Sequence, residues 1–503
     1  MKLFAMKKFV QTTIIAAILA STVLLLMPKD SEAVPSYSRR YGFDCTVCHS
    51  MWGALNGTGA LFKLSGYRAF AGKDLDPVTK DIEAGSMFAI PTTLPLSLVT
   101  GVGYDYRVEK RSAADGTTNT QTGSSFALED ASIFLTSPIG PHLSVFAEFP
   151  MYETRAWEFT PTGPAEANDT ARGSNLRFST EKPTFEVAKF FWNNLLGDEV
   201  PRDSVNLLFG ITHPPLPYSP GKVRLSVNQY PIYERRALDL LSHKKIDDML
   251  TSDQSDTLFR VSEPQVLAEV YGMVVPGKEV SDAAKKETFW FEYHLGITNA
   301  SNSSADNNNA KGFYGRYVMR WYGQTLGVFA FYTSDTYDDG IRNDASIFNG
   351  GIMSGKAASN SNGRIGPDLT LSAVPYGVPV WLENQYMYVY ENNPTGFDKG
   401  FAWQGGFHQL NYQFIPKAVI YGRYDWVKGD LYDDTSTRIN GVFGQTRTRP
   451  NEYDIVAGLQ FTIAANVKLL GEYRYHEFKD TASVPNSSRL TDSGFTSRIM
   501  FGF

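Results

Sequence analysis

Two cysteines and a histidine form the strongest chemical signal in this chain. The run Cys45-Thr46-Val47-Cys48-His49 is a C-x-x-C-H motif, and it contains the only two cysteines among 503 residues. This motif is typical of c-type haem attachment. The two thiols add to the vinyl groups of the porphyrin, and the adjacent histidine becomes the proximal iron ligand. The motif therefore predicts one covalent haem c, with thioethers at Cys45 and Cys48 and with the iron bound by His49.

Other sites also use a C-x-x-C pair. A thioredoxin-like redox pair, half of a zinc site and a plain disulfide all have this spacing, but none of them requires a histidine directly afterwards. A redox pair would need a βαβ context, and a zinc site would need two further ligands at short spacing. The sequence shows neither, so haem attachment is the favoured interpretation.

An export signal is expected upstream of the motif. Three lysines precede a nearly continuous apolar run at 14–27, and Ser31 and Ala33 give the small-x-small form that signal peptidase cleaves. The apolar run is short for a membrane span. We expect residues 1–33 to be a signal peptide that is removed before Val34, which agrees with haem attachment after export.

The charge of the chain excludes one class of partner. The formal net charge is −6, and removal of the signal segment, with four lysines and two acidic residues, leaves about −8. Nucleic-acid binding requires clustered lysine and arginine, and no such block is present. Cations are the more natural partners of an acidic exported protein.

Most of the chain follows a two-residue hydrophobic period. After residue 33 no apolar run is long enough for a transmembrane helix. From Leu96 to Val108 the even positions are mostly apolar and the odd ones mostly small or charged, which is typical of a strand with one apolar face. Similar stripes occur at 289–297, 313–321, 380–390, 453–463 and 467–475.

These stripes predict an all-β, outer-membrane antiparallel barrel. Aromatic residues make up 14% of the chain, and such barrels carry aromatic girdles at both water interfaces. In the last segment Phe495, Ile499, Phe501 and Phe503 share one face, and a terminal Phe resembles the signal of bacterial barrel assembly. A soluble β-sandwich is the alternative. About 420 residues at ~10 per strand suit 14 to 18 strands, and we predict 16.

The sequence divides into three parts. After the signal peptide at 1–33, we expect a small, mainly helical cytochrome c segment at 34–84 and a porin-like barrel at 85–503. The segment is too small to bury a haem alone, so it is expected at the periplasmic mouth or in the lumen of the barrel. Polar stretches at 299–311, 334–372, 428–450 and 479–493 are predicted extracellular loops. The stretch from Leu238 to Val270 is either a loop folded into the lumen or a surface helix.

The haem segment resembles that of a known family, the fused outer-membrane monohaem cytochrome c–porins of iron-oxidising bacteria. The resemblance covers the whole architecture but is specific over about 35 residues. These comprise the C-x-x-C-H motif together with Val34-Pro35, Tyr41-Gly42, Leu55-Asn56, Gly59, Phe62-Lys63 and Gly66-Tyr67. The resemblance implies an outer-membrane oxidoreductase that takes electrons from extracellular Fe(II) and passes them to a periplasmic c-type cytochrome.

Other functions are compatible with the same parts. The protein could export electrons to extracellular acceptors, or it could be a solute porin with a regulatory haem domain. A haem peroxidase would need a distal histidine or arginine, and no such motif is visible.

The sequence does not identify the second axial ligand of the haem iron. Met87 is a candidate, and a thioether ligand would raise the reduction potential. Histidines that face the lumen are further candidates, namely His142, His213, His294 and His408. Tyr67 and Arg68 are expected near the haem propionates.

Overall fold

The structure is a closed barrel with material inside it. The computed structural model of the protein describes residues 36–43, 47–51, 54–70, 73–112, 118–153, 187–218, 225–242, 260–278, 280–285, 287–299, 309–336, 359–394, 399–433, 447–464, 466–481 and 489–502. All of these residues belong to one compact unit.

Sixteen strands form the barrel wall. They are β1 Leu96–Ser112, β2 Thr118–Pro138, β3 Leu143–Glu153, β4 Val187–Trp192, β5 Asn206–Thr212, β6 Gln265–Val274, β7 Trp290–Thr298, β8 Gly312–Trp321, β9 Gln324–Thr336, β10 Ser359–Ser372, β11 Val380–Glu391, β12 Phe401–Ile415, β13 Ala418–Gly429, β14 Pro450–Ala464, β15 Val467–Asp480 and β16 Arg489–Gly502.

Each strand pairs antiparallel with the next, and the last strand returns to the first. In the closing pair Gly502 lies opposite Val99, and Arg489 lies opposite Ser112. The ring therefore has no open edge, which is what a β-structure needs in lipid. The predicted 16-stranded antiparallel barrel is confirmed, and this is the architecture of a bacterial outer-membrane protein.

The two-residue period separates an outer and an inner face. On β8 the side chains of Phe313 and Tyr317 are exposed on the outside, whereas Tyr314 and Arg316 are buried on the lumen side. The last strand follows the prediction, since Phe495 points outward and Arg498 is buried. Phe503 lies outside the described residues.

The two ends of the barrel differ in the length of their connections. At one end most connections are short, with two residues at 322–323 and at 416–417, although 193–205 and 275–289 are longer; we name this end the short-turn mouth. Tyr322 and Gly323 both have positive φ, as a type I′ hairpin requires. At the other end, the long-loop mouth, the connections span 154–186, 213–264, 337–358 and 430–449. Short turns face the periplasm in bacterial barrels.

Part of the loop prediction is wrong. The stretch 334–372 contains all of β10, and 479–493 contains the start of β16. On β10 the polar residues Asn360, Asn362, Arg364 and Asp368 are buried towards the lumen. The sequence pattern was misleading because the first outer positions of this strand, Ser359, Ser361 and Gly363, are not apolar, so the alternation is hidden there. Likewise 265–270 belongs to β6.

The remaining elements are short. The helices are α1 Ser36–Tyr41, α2 Gly57–Leu64, α3 Pro231–Glu234 and α4 Ala237–Ser242, with 3-10 turns at Gly197–Glu199, Val280–Ala284 and Val374–Tyr376. Small antiparallel pairs join His49–Met51 to Ala54–Leu55, Ala69–Phe70 to Lys73–Asp74, Ile82–Glu83 to Ala89–Ile90 and Tyr432–Asp433 to Arg447–Thr448. In the part of the chain that the structure describes, no helix is long and apolar enough to span a bilayer.

Candidate haem-binding site at the short-turn mouth

The segment that carries the C-x-x-C-H motif lies at the short-turn mouth. We call its described residues between 36 and 84 the plug. The backbone N–H of Ser36 donates to Ser97 Oγ at 2.6 Å, near the start of β1. Ser144, near the start of β3, donates through Oγ to the carbonyl of Gly66 at 2.5 Å. Both strand starts are at the short-turn mouth, so the plug is fixed to the wall there.

The end of α2 directs an aromatic ring into the wall. The N–H of Gly66 donates to the carbonyl of Lys63, and the N–H of Tyr67 donates to that of Phe62. This is a Schellman motif, with Gly66 at the left-handed position, φ 63°. The chain then reverses, and the Tyr67 ring lies between Phe146 of β3 and Phe191 of β4, at centroid distances of 5.7 and 5.5 Å.

Ion pairs join the plug to a turn of the barrel. Arg68 donates to Asp74 Oδ1 at 2.7 Å, and Arg202, in the connection between β4 and β5, pairs with the same carboxylate. Burial alone would raise the pKa of Asp74, but the two arginines outweigh it and hold the pKa below its ordinary value. Beside them, burial raises the pKa of Asp203 to about 6, although Arg202 opposes the shift.

The described part of the motif is held by one asparagine. Asn56 is the N-cap of α2, and its Oδ1 accepts the N–H of Gly59 at 2.9 Å. The backbone N–H of Asn56 donates to the carbonyl of Cys48 at 2.9 Å, and its Nδ2 donates to the carbonyl of Val47 at 3.0 Å. Cys45 lies outside the described residues. Asn56 therefore ties the turn of the motif to the start of the helix.

These residues fit a covalently attached haem. Cys48 and His49 place a thiol and an imidazole side by side, and Nδ1 of His49 is shielded from solvent. A Cβ atom at Gly59 would overlap the carbonyl of Cys48, so the helix approaches the motif more closely than any larger residue would allow. Leu61 and Leu64 of the same helix are buried in the apolar cluster that the plug forms with the wall.

The other predicted site residues are dispersed. Met87 is 49% exposed at the tip of the Ile82–Ile90 hairpin. Tyr67 packs on the barrel wall and Arg68 pairs with Asp74, so the main contacts of both are with protein. Whether Met87 ligates the haem iron and whether Tyr67 and Arg68 approach its propionates stay predictions.

The four candidate histidines occupy different places. His142 is exposed in the turn between β2 and β3. His213 follows β5, with Nδ1 2.7 Å from the carbonyl of Ser262, and His408 is exposed on the outer face of β12. His294 is buried in the lumen, where its Nδ1 and Nε2 are 2.8 Å from Glu269 and 3.0 Å from Glu292. Its two ring nitrogens are thus already engaged by carboxylates.

A second segment fills the lumen from the long-loop mouth. We call residues 225–242, in the connection between β5 and β6, the lumen loop. Tyr230, Ile232 and Tyr233 in this loop have no exposed surface. The N–H of Ala237 donates to Glu391 of β11 at 3.0 Å. Residues 238–242 belong to this loop, so the predicted alternative of a loop folded into the lumen is correct for them and the surface helix is wrong. Residues 243–259 lie outside the described residues.

One buried carboxylate organises the lumen loop. Glu472 of β15 accepts hydrogen bonds from Ser226 Oγ at 2.6 Å and from the backbone N–H groups of Val227 and Asn228, both at 3.1 Å. It also accepts from the hydroxyl of Tyr421 at 2.5 Å. Sequence analysis did not single out Glu472, because alternation places it on the inner face but does not identify its partners.

Comparison with known proteins gives a likeness of fold. No protein-family model and no curated protein matches the chain. The anion-selective porin of Comamonas acidovorans is similar with a TM-score of 0.43 at 10% identity, over 81% of this chain and 100% of the porin. The outer-membrane channel DcaP of Acinetobacter baumannii is similar with a TM-score of 0.41 at 11% identity, over 84% of this chain and 100% of the channel. OprB of Pseudomonas putida is similar with a TM-score of 0.39 at 11% identity, over 80% of this chain and 94% of OprB.

Proposed function

We propose that this outer-membrane barrel transfers electrons from extracellular Fe(II) to a periplasmic c-type cytochrome through a haem c in the plug. The proposal rests on the C-x-x-C-H motif and on the resemblance of the surrounding segment to the haem segment of outer-membrane cytochrome–porins. Cys45 and Cys48 would hold the haem, and His49 would bind its iron. When bound, such a haem supplies one-electron oxidation and reduction.

The observation that carries the proposal is the C-x-x-C-H motif on a plug that is fixed to the wall at the short-turn mouth through Ser36 and Gly66. Short turns face the periplasm, so a soluble cytochrome can approach this mouth from the periplasmic side. Asn56 keeps the motif against α2, and Tyr67 keeps the plug against the wall. The protein residues thus hold the motif at the place where an electron acceptor can dock.

A barrel is a suitable housing for this reaction. Fe(III) precipitates at neutral pH, so a cell gains by oxidising Fe(II) outside. The closed wall satisfies its own backbone hydrogen bonds and can carry a redox site through the lipid. A hydrocarbon layer of ~30 Å is too thick for one haem to bridge. The proposal therefore requires Fe(II) to enter the lumen from the long-loop mouth.

Stopped-flow spectroscopy tests the proposal. The purified, oxidised protein is mixed with Fe(II), and reduction is followed in the haem absorption bands. Fast reduction is the expected result. Absence of reduction by Fe(II), combined with rapid reoxidation of dithionite-reduced protein by external acceptors, would indicate electron export instead.

A matched set of variants tests the haem assignment itself. The double substitution Cys45→Ala and Cys48→Ala should abolish haem staining on a denaturing gel. His49→Ala should keep the covalent stain but change the absorption spectrum, because only the axial ligand is removed. Persistent covalent staining of the double variant would refute the assignment.

Solute passage is a second candidate function. The inner face of the wall carries buried ion pairs, as the polar interior of an outer-membrane barrel does, such as Arg498 with Asp105 at 2.8 Å and Arg316 with Asp368 at 2.9 Å. Recordings in planar bilayers distinguish the two functions. A stable open conductance that is independent of redox state would favour a porin, whereas a closed barrel agrees with the plug and the lumen loop as fillers.

A further inference from the structure

Four neighbouring strands place titratable side chains in one row across the lumen face. Asp425 of β13 is the register partner of Asp454 of β14, which in turn pairs with His476 of β15, and His476 pairs with Asp492 of β16. Glu452 lies two residues before Asp454 and therefore on the same face. All five side chains are buried, with at most 8% exposed. The row lies towards the long-loop mouth, where β14 begins and β15 ends.

Three of these side chains converge. Glu452, Asp454 and His476 each offer one ligand atom, and the three atoms lie within 4.8 Å of one another. Nδ1 of His476 is 2.5 Å from Asp454 Oδ1 and 3.5 Å from Glu452 Oε1. Ligands bound at about 2.0–2.2 Å to one ion lie roughly 3–3.5 Å apart. The imidazole and Asp454 Oδ1 would therefore move slightly apart, whereas Glu452 Oε1 is already at a suitable distance from the imidazole. One imidazole with two carboxylates suits divalent first-row transition metals.

The outer oxygens of both carboxylates are held by arginines. Arg235 of the lumen loop donates through Nε to both oxygens of Glu452, at 2.8 Å to Oε2 and 3.0 Å to Oε1, and Arg474 donates through Nε to Asp454 Oδ2 at 2.8 Å. These contacts leave Asp454 Oδ1 towards His476, whereas Glu452 Oε1 lies between Arg235 and the imidazole. Partners of this kind orient the ligands of metal sites.

Two buried carboxylate oxygens beside the cluster favour a cation there. Oδ1 of Asp425 and Oδ1 of Asp492 are buried and have no hydrogen-bond partner in the described part of the chain. The other oxygens of these groups are bound by Arg423 at 2.7 Å and by Arg107 at 2.7 Å. A buried carboxylate oxygen without a partner is costly. Because these two residues flank Asp454 and His476 in the row, an ion at the centre would compensate both.

We propose that Glu452, Asp454 and His476 bind a divalent first-row transition-metal ion in the lumen. The ion takes the place of the hydrogen bond between His476 and Asp454 and displaces Arg235 from Glu452 Oε1. Arg235 keeps its contact with Glu452 Oε2, and Arg474 keeps its contact with Asp454 Oδ2. Identification of this ion with Fe(II) on its way to the haem rests on the proposed function. The binding site itself does not depend on it.

Mn(II) is the probe for the test, because its electron paramagnetic resonance signal reports the free ion. The purified full-length protein in detergent is titrated with Mn(II), and His476→Gln is compared with the wild type. We expect at least a tenfold loss of affinity in the variant. His294→Gln is the matched control, since His294 is also buried beside two carboxylates, but these bind opposite ring nitrogens. The His294→Gln variant should bind Mn(II) with the affinity of the wild type.

A direct measurement covers the case in which His476→Gln does not fold. In the wild type, Mn(II) should show a nitrogen hyperfine coupling from the imidazole. The proposal is overturned if no Mn(II) binds, if the coupling is absent, or if a folded His476→Gln binds Mn(II) as the wild type does. Binding of Mn(II) without reduction of the haem by Fe(II) overturns only the proposed function. Reduction of the haem without a Mn(II) site overturns only this proposal.

Discussion

The ring of Tyr67 in the plug stacks on Phe146 in the barrel wall, with centroids 5.7 Å apart and planes at 25°. On its other side Tyr67 stacks on Tyr37 at 5.0 Å. A plug residue is thus enclosed between the plug and the wall, and aromatic pairs of this kind contribute beyond their buried area. Tyr67 is thus an aromatic anchor of the plug on the wall.

Removal of this ring should loosen the plug. Tyr67→Ala is expected to cost about 3–5 kcal/mol, as for other large-to-small changes of buried aromatic residues. Limited proteolysis of the folded protein should then cleave within the plug, and ion conductance in planar bilayers should rise. Tyr67→Phe keeps the ring and should behave as the wild type. Equal protease resistance of the alanine variant would contradict the anchor role.

Two glycines in α2 make a matched pair. At Gly59 a Cβ atom overlaps the carbonyl of Cys48, whereas at Gly57 nothing lies within 4 Å. Gly59→Ala should therefore destabilise the plug by about 1–3 kcal/mol and lower the fraction of protein with covalent haem. Gly57→Ala should be neutral or stabilising by up to about 1 kcal/mol. Haem stain per unit protein on a denaturing gel measures the effect, and similar results for both variants would argue against close packing at the motif.

The pKa of Asp203 predicts a pH dependence at the short-turn mouth. Burial raises this pKa to about 6 in the folded protein, compared with about 3.9 in an unfolded chain. The folded state therefore binds the proton more tightly. This contribution to stability is complete below about pH 4 and is lost as the pH rises through 6, with an upper value of roughly 3 kcal/mol.

Substitution of Asp203 isolates this effect. Asp203→Asn should abolish the dependence between pH 4 and 6 and should be more stable than the wild type at pH 8, measured as the midpoint of urea unfolding. Asp74→Asn is the opposite control. Two arginines lower the pKa of Asp74, so its stabilisation is present at neutral pH and the variant should be less stable there. Parallel pH profiles for Asp203→Asn and the wild type would disprove the assignment.

The carboxylate of Glu472 should hold the lumen loop in place. Glu472→Gln removes a charged acceptor of several hydrogen bonds, at an expected cost of about 2 kcal/mol or more. Hydrogen exchange at the amides of Val227 and Asn228 should accelerate. Glu477→Gln changes the same strand, but Glu477 binds Tyr453 and Arg489 near the long-loop mouth. Exchange at the two amides should not change in that control; equal acceleration in both variants would argue against a specific role of Glu472.

Most of the fold could be predicted from local alternation of apolar and polar residues in the sequence. The predicted stripes at 313–321 and 380–390 fall within β8 and β11, because alternation needs no knowledge of distant residues. Chain length gave a range of 14 to 18 strands, and the predicted number of 16 is confirmed. At β10 the reasoning from alternation failed, since Asn360 and Arg364 are buried in a polar lumen and the first outer positions of the strand are not apolar.

The sites were predictable only where their residues are adjacent in sequence. Cys48 and His49 are neighbours, so their chemistry is visible in the motif. Glu452 and His476 lie on different strands and meet only through the register of β14 with β15. The sequence therefore predicts a haem site at the C-x-x-C-H motif, whereas the lumen cluster could not be predicted from it. The contact of Tyr67 with the wall was equally hidden, because it depends on the turn after α2.

Because the barrel has an even number of antiparallel strands, its first strand begins at the same mouth where its last strand ends. Here Val99 near the start of β1 lies opposite Gly502 at the end of β16. The plug directly precedes β1, so no further crossing separates Cys48 from the short-turn mouth. The ring can close last, around a segment that is already on its proper side.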